Sequence, residues 1–213
     1  MASVDLRLGT AGDTRFVAEQ MLRASGGLFE QLLDDIMPGI GAEPLLGLAL
    51  AINQADSAFG CDNAIVAERD SHRCGMALCF PASDYRLPEA VTAIVPSQRL
   101  ARIEALIDSC PRDSFYLHSL AVLPRAERTG VARRLIHAVA ELAAAQGLLR
   151  ISLHVWQGNE AAVGLYRSLG FKTGRALAIE ATPRLRWAGP VVPMETGTAD
   201  LLARFAEPRR VSA

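Results

Sequence analysis

The sequence predicts an α/β (α+β) fold, about seven strands with intervening helices in one domain, and three observations carry that expectation. Residues 115–146 read as an apolar strand, a polar loop with one glycine, and an amphipathic helix. Residues 159–171 read as a second, capped helix. Elsewhere, short apolar runs separated by turn residues alternate with stretches of helical period. Half of the 213 residues are apolar and the net charge is −1, which suits a full core, and no basic run of the kind that tracks a phosphate backbone occurs. Nucleic acid is therefore not an expected partner.

In chain order, Val4 to Leu8 alternates as a first strand, and Asp13 stands where it would cap a helix from about Thr14 to Ala24. From Gly26 to Ala58 the pattern is helical but interrupted. Leu28, Leu32, Leu33 and Ile36 make one apolar face before Pro38-Gly39, and Leu45, Leu48, Ala49 and Ile52 make another. Ala64 to Glu68 and Gly75 to Phe80 form a hairpin with R-D-S-H-R at its tip. Residues 81–112 are too long for a simple connection, and Leu100, Ile103, Leu106 and Ile107 give this insertion its own helix.

Phe115 to Val122 is apolar on both faces, as a covered central strand is. After it, Val131, Leu135, Ala138, Val139 and Leu142 recur on one helix face, which Gly147 ends. A strand that passes through a glycine loop into a helix leaves backbone N–H groups, and the positive end of the helix dipole, free to hold an anion. Arg150 to Val155 is the fifth strand. Asn159 caps the next helix, whose apolar face is Ala162, Leu165, Tyr166 and Leu169, with Gly170 and Phe171 closing it. Lys172 to Ala181 and Leu185 to Val192 read as a closing hairpin around Thr182-Pro183. Leu201, Leu202 and Phe205 share one side of a short final helix.

These residues carry a family resemblance. E-R-T-G-V-A, Glu127 to Ala132, resembles the acyl-CoA-binding Q/R-x-x-G-x-G/A loop of the GCN5-related N-acetyltransferase (GNAT) superfamily, with Glu127 in place of the usual Gln or Arg. N-E-A-A-V-G-L-Y-R-S-L-G-F, Asn159 to Phe171, resembles that family's N-x-x-A-x-x-L-Y-x-x-L-G-F at every defined position. The resemblance implies a mixed central sheet with helices on both faces, splayed between strands four and five. It implies a single acetyltransferase domain over 1–195 and a C-terminal extension over 196–213.

By the same resemblance the cosubstrate is acetyl-CoA, and no metal is required. Its pyrophosphate would lie on the backbone of Glu127, Arg128, Thr129, Gly130, Val131, Ala132 and Arg133. Its thioester and arm would lie along Leu120, Ala121 and Val122 beside a bulge, and Asn159 would contact the arm. An acidic Glu127 must point away from phosphate, while Arg125, Arg128 and Arg133 can restore positive charge. Tyr166 aligns with the acid that protonates the leaving thiolate, although a tyrosine on an apolar helix face is also an ordinary core residue. His118, two residues from both Tyr116 and Leu120 and so on their strand face, is either the base that deprotonates the acceptor or a core histidine. His72, His137 and His154 have no comparable placement.

The expected reaction is acetyl transfer to a primary amine by direct attack in a ternary complex. A non-catalytic acyl-CoA sensor of the same fold is the alternative. The acceptor, a small molecule or a peptide, lies open, as does a homodimer. A P-loop is excluded because no G-x-x-x-x-G-K-[ST] occurs. Cys61, Cys74, Cys79 and Cys110 show no C-x-x-C spacing and read as reduced structural thiols. The N-terminus has no apolar leader and no membrane-length apolar run follows, so the expected location is cytoplasmic.

Overall fold

The computed structural model describes residues 3–33, 44–54, 57–180 and 182–206. Its sheet has seven strands in the order β1-β2-β3-β4-β5-β7-β6. They are β1 (Asp5–Leu8), β2 (Ala64–Arg69), β3 (His72–Pro81), β4 (Phe115–Val122), β5 (Arg150–Trp156), β6 (Lys172–Thr173) and β7 (Val191–Gly197). Every pairing is antiparallel except β4 with β5. The hairpin between β2 and β3 turns on only two residues, Asp70 and Ser71, both at positive φ (51° and 60°). The primed turn continues the strands' own twist, so they run closer to the tip than the R-D-S-H-R reading allows.

Helices cover both faces. On one side α1 (Thr14–Ser25) and α3 (Pro44–Ile52) bury Phe16, Val17, Met21, Leu48 and Ile52 against Val66, Met76, Leu78 and Phe80. On the other, α6 (Val131–Ala145) lays Leu135, Ile136 and Val139 on Ala77, Phe115 and Leu153, and α8 (Thr198–Ala206) packs beside it through Leu201. The boundary expected after residue 195 falls inside β7, so residues 196–206 complete the sheet and its cover. The insertion forms α4 (Glu89–Ile94) and α5 (Ser97–Asp108), and α2 (Leu28–Leu33) lies next to it in a third apolar cluster. Ile36 and Pro38-Gly39, expected near the end of α2, lie outside the described residues.

The closing hairpin differs from expectation. Instead of strands over 172–181 and 185–192, the chain pairs only Lys172–Thr173 with β7, makes one bridge from Leu177 to Val191, and starts β7 at Val191. The intervening chain has another task. Arg186 N donates to Gly26 O at 2.8 Å, and Trp187 packs so closely on Gly26 that a Cβ there would overlap the indole ring. Gly26 also sits at φ 65°, so glycine is required at this joint between α1 and α2 on both counts.

Asp13 does not cap α1 with its side chain. Its carboxylate is fully buried, accepts from Arg7 (2.7 and 3.0 Å) and from the backbone and hydroxyl of Thr10, and is ion-paired with the Nε of Arg73 at 2.7 Å. Those bonds hold it charged and well below the usual carboxylate range, the guanidinium of Arg7 contributing most. It thereby ties β1, β3 and the start of α1 together.

Candidate active site

The site begins where two parallel strands part. β4 pairs with β5 only through Phe115, Tyr116 and Leu117, opposite Ile151, Ser152 and Leu153; beyond them the strands diverge. Against β3 the register skips one residue, with Leu117 opposite Cys79 and Ser119 opposite Leu78, so His118 is the extra residue of a bulge. The bulge reverses the inward and outward alternation. Tyr116 and His118 face the cluster of Phe59, Phe80 and Tyr85, whereas Leu120 and Val122 join Leu117 on the α6 side. The expectation that His118 and Leu120 share a face is corrected by that one residue, and the bulge lies at His118 rather than beside Leu120.

Leu123 N donates to Cys74 O at 2.8 Å, which fixes the phase of the ladder. Antiparallel strands alternate bonded and non-bonded pairs, so Ser119 and Ala121 bond to β3 while the backbone of Leu120 and Val122 turns toward the gap that β5 has left. This open edge borders a pocket of about 140 Å³ lined by Leu120, His118, Asn159 and Tyr166 together with Phe29, Tyr85 and His154.

Tyr166 arrives from α7 (Glu160–Ser168), capped by Asn159 Oδ1, which accepts from Ala162 N at 3.3 Å. Phe171 N donates to Tyr166 O at 3.1 Å, closing the helix as the L-G-F ending predicts. The Tyr166 ring is 6 % exposed and rests on Phe171, and its hydroxyl has no hydrogen-bond partner among the described residues. Burial pushes its pKa up, so the hydroxyl stays protonated. His118 is ringed by Phe29, Phe59, Phe80, Tyr85 and Tyr116, and its Nδ1 meets Ser119 Oγ at 2.9 Å. Burial, with a smaller contribution from His154, lowers its pKa to about 3.

His154 is the residue that sequence reasoning missed. Its Nδ1 lies 2.9 Å from the Tyr116 hydroxyl and its Nε2 lies 2.8 Å from Ser109 Oγ at the end of α5, and burial lowers its pKa to about 4. Register would have found it. With Phe115 opposite Ile151, the first residues past the paired segment are His118 on one strand and His154 on the other. Cys110 lies 3.9 Å from the same imidazole, yet burial pushes its thiol up to about 12, the reverse of an activated nucleophile. All four cysteines are free and buried.

The glycine loop follows β4 outward and is not part of the pocket wall. Arg128 (φ 59°) and Gly130 (φ 90°) are both left-handed, and the first helical bond is Arg134 N to Gly130 O, so the N–H groups of Val131, Ala132 and Arg133 precede the ladder. Space around Gly130 is open on the side a Cβ would occupy. Glu127 points out of the loop to Arg23 of α1, at 3.0 Å. Thr129 spans the loop, its hydroxyl donating to Ala126 O and receiving Arg69. Arg133 lies over the Phe205 ring, and Arg125 donates to Arg73 O.

Among the described residues no group of three or more His, Cys, Asp or Glu side chains is placed to hold a metal ion. No helix among them is long and apolar enough to cross a membrane.

A profile of the Acetyltransferase (GNAT) family matches residues 48–171. No curated protein matches the chain. Among solved structures, an N-acetyltransferase from Staphylococcus aureus Mu50 superposes with a TM-score of 0.66 at 14% identity, covering 90% of this chain and 100% of its own. A Drosophila melanogaster polyamine N-acetyltransferase that forms N-acetylagmatine superposes at 0.58 and 15% identity, covering 92% and 100%. Diaminobutyrate acetyltransferase from Paenibacillus lautus, in complex with L-2,4-diaminobutyric acid and coenzyme A, superposes at 0.54 and 14% identity, covering 93% and 96%.

Proposed function

The chain belongs to the GNAT acetyltransferase family, and from that premise we propose that it moves the acetyl group of acetyl-CoA to a primary amine by direct attack within a ternary complex. The observation that carries the reading is the open edge of β4. Backbone groups of Leu120 and Val122, freed by the divergence from β5, adjoin the pocket that also holds Tyr166 and Asn159. Acetyl-CoA supplies an activated acyl group as a thioester. The chain's own part is to hold, orient and move protons.

The N–H groups of residues 128–133 provide the phosphate cradle, where two left-handed residues and a helix start turn successive donors outward. Because backbone supplies these donors and Glu127 is turned to Arg23, its departure from the family pattern leaves the cradle intact. The free edge of β4 offers donors to the carbonyl oxygen and to the pantetheine arm, as a missing strand would. Tyr166, protonated and unpartnered, donates to the departing thiolate. His118, neutral at physiological pH, accepts a hydrogen bond from the incoming neutral amine and orients it; the proton the nitrogen sheds after attack goes to water, because an imidazole with a pKa of about 3 is too weak a base to take it. The protein works in the cytoplasm on a small-molecule or peptide amine.

The test is thiol release from acetyl-CoA across a panel of primary amines, with acetyl-CoA binding followed by calorimetry. Turnover is expected with at least one class, and Gly130→Pro, which removes an amide and forbids φ 90°, should abolish binding. The pH profile of kcat/KM should rise with deprotonation of the amine and show no bend at the ordinary histidine pKa of about 6.5. Binding without release for every amine would overturn the transferase reading.

A further inference from the structure

Beyond the pocket at the strand fork lies a second cavity of about 330 Å³, enclosed by α1 to α5. Every described residue that lines it is apolar. Five of them, Phe29, Leu32, Phe59, Leu87 and Ile103, also line the pocket that holds His118 and Tyr166, so the two spaces share a wall of apolar side chains. The residues of that pocket on the cosubstrate side, Leu120, Asn159 and Tyr166, are absent from the cavity lining. At its outer end stand Leu50, 59 % exposed, and Ile94, 41 % exposed, two aliphatic side chains left in water.

We propose that this cavity is the apolar half of the acceptor site and that the acceptor is a primary amine bearing an alkyl or arylalkyl tail. The inference rests on the transferase reading and adds the chemistry of the substrate to it. An amine whose nitrogen reaches His118 can extend its remainder past Phe29 and Leu87, and no described residue that lines the second cavity can satisfy a second charge or a hydroxyl. A polyamine or a free amino acid would leave polar groups unpaired in the cavity, whereas a hydrocarbon tail of about six to ten carbons matches a space roughly twice the ~150 Å³ that accommodates one benzene ring.

The test uses n-butylamine, n-hexylamine, n-octylamine and 2-phenylethylamine with the full chain, read by calorimetry on the CoA-loaded protein and by thiol release. Each added methylene should tighten binding about fourfold, so that octylamine exceeds butylamine by about a hundredfold or more. Ala93→Phe, at an exposed cavity-lining position of α4, should flatten that ladder while short amines bind as before, and Leu50→Asp should weaken the long amines alone. Equal binding of all chain lengths would overturn the proposal. So would a preference for octanoyl-CoA over acetyl-CoA with butylamine, which gives the cavity to the acyl chain, or a dimer that octylamine leaves intact, which gives it to a second copy. Thiol release that fails with every amine refutes the transferase reading, and the binding ladder still decides this one.

Discussion

At the scale of single residues, burial holds two side chains on the same pocket in their neutral forms, which suits the opposite roles proposed for them. Tyr166 is kept protonated and can donate; His118 is kept unprotonated and can accept a hydrogen bond without taking up the proton. Loss of the Tyr166 hydroxyl should therefore appear in the transition state alone. Tyr166→Phe is expected to lower turnover by roughly 10²-fold while acetyl-CoA affinity is unchanged. If the ring serves only to pack on Phe171, the variant keeps full activity, and measuring both quantities decides the matter. Tyr166 is legible in the sequence because its motif fixes the helix, its cap and its end. His154 is not, since its partners Tyr116 and Ser109 stand 38 and 45 residues away in sequence.

Among the elements, the loop after β4 shows how a sequence departure is absorbed by a neighbour. Arg23 of α1 draws Glu127 outward, so α1, which contributes no amide to the proposed cradle, would govern the charge at its rim. Arg23→Ala should lower acetyl-CoA affinity severalfold, more at low salt than at high, because the freed carboxylate then faces the phosphates. Adding Glu127→Gln should restore it. If the double variant binds no better than Arg23→Ala, Glu127 does not govern the loop. Strands and helices that owe their existence to local period were readable in order: β4 and the helix starts of α6 and α7 lie where pattern and caps place them. The bulge at His118 was not, because an extra residue in a strand leaves no mark in composition and is defined only by the partner it fails to meet.

For the whole molecule, the N-terminal half of the sheet depends on one buried carboxylate. Asp13→Asn removes the negative charge that Arg7 and Arg73 share, leaving Arg7 with Glu68 alone, and should cost roughly 2 kcal/mol at pH 7. That lies below the 3–5 of a fully buried pair, because the two arginines are 37% and 41% exposed. Since folding depresses this pKa, the parent holds the advantage above the ordinary carboxylate value of about 4 and loses it as pH falls further. Urea unfolding of parent and variant should therefore differ at pH 7 and converge in acid; a difference independent of pH would assign the loss to shape rather than charge. The closing hairpin was misread at this scale. Leu185 to Val192 alternates well enough for a strand, but Arg186 and Trp187 are taken up by Gly26, and sheet pairing starts at Val191.

That joint between Gly26 and Arg186 sets an order of events during synthesis. The segments that border the acceptor pocket near Ser25 and Phe29 leave the ribosome early, yet the chain that clasps them is 160 residues behind, and β7 must also arrive before β5 gains its second neighbour. A nascent chain halted near residue 175 would already contain the phosphate loop, α7 and Tyr166, but not the clasp over Gly26. The loop proposed to hold the cosubstrate is thus complete in the nascent chain before the clasp that fixes the proposed acceptor side.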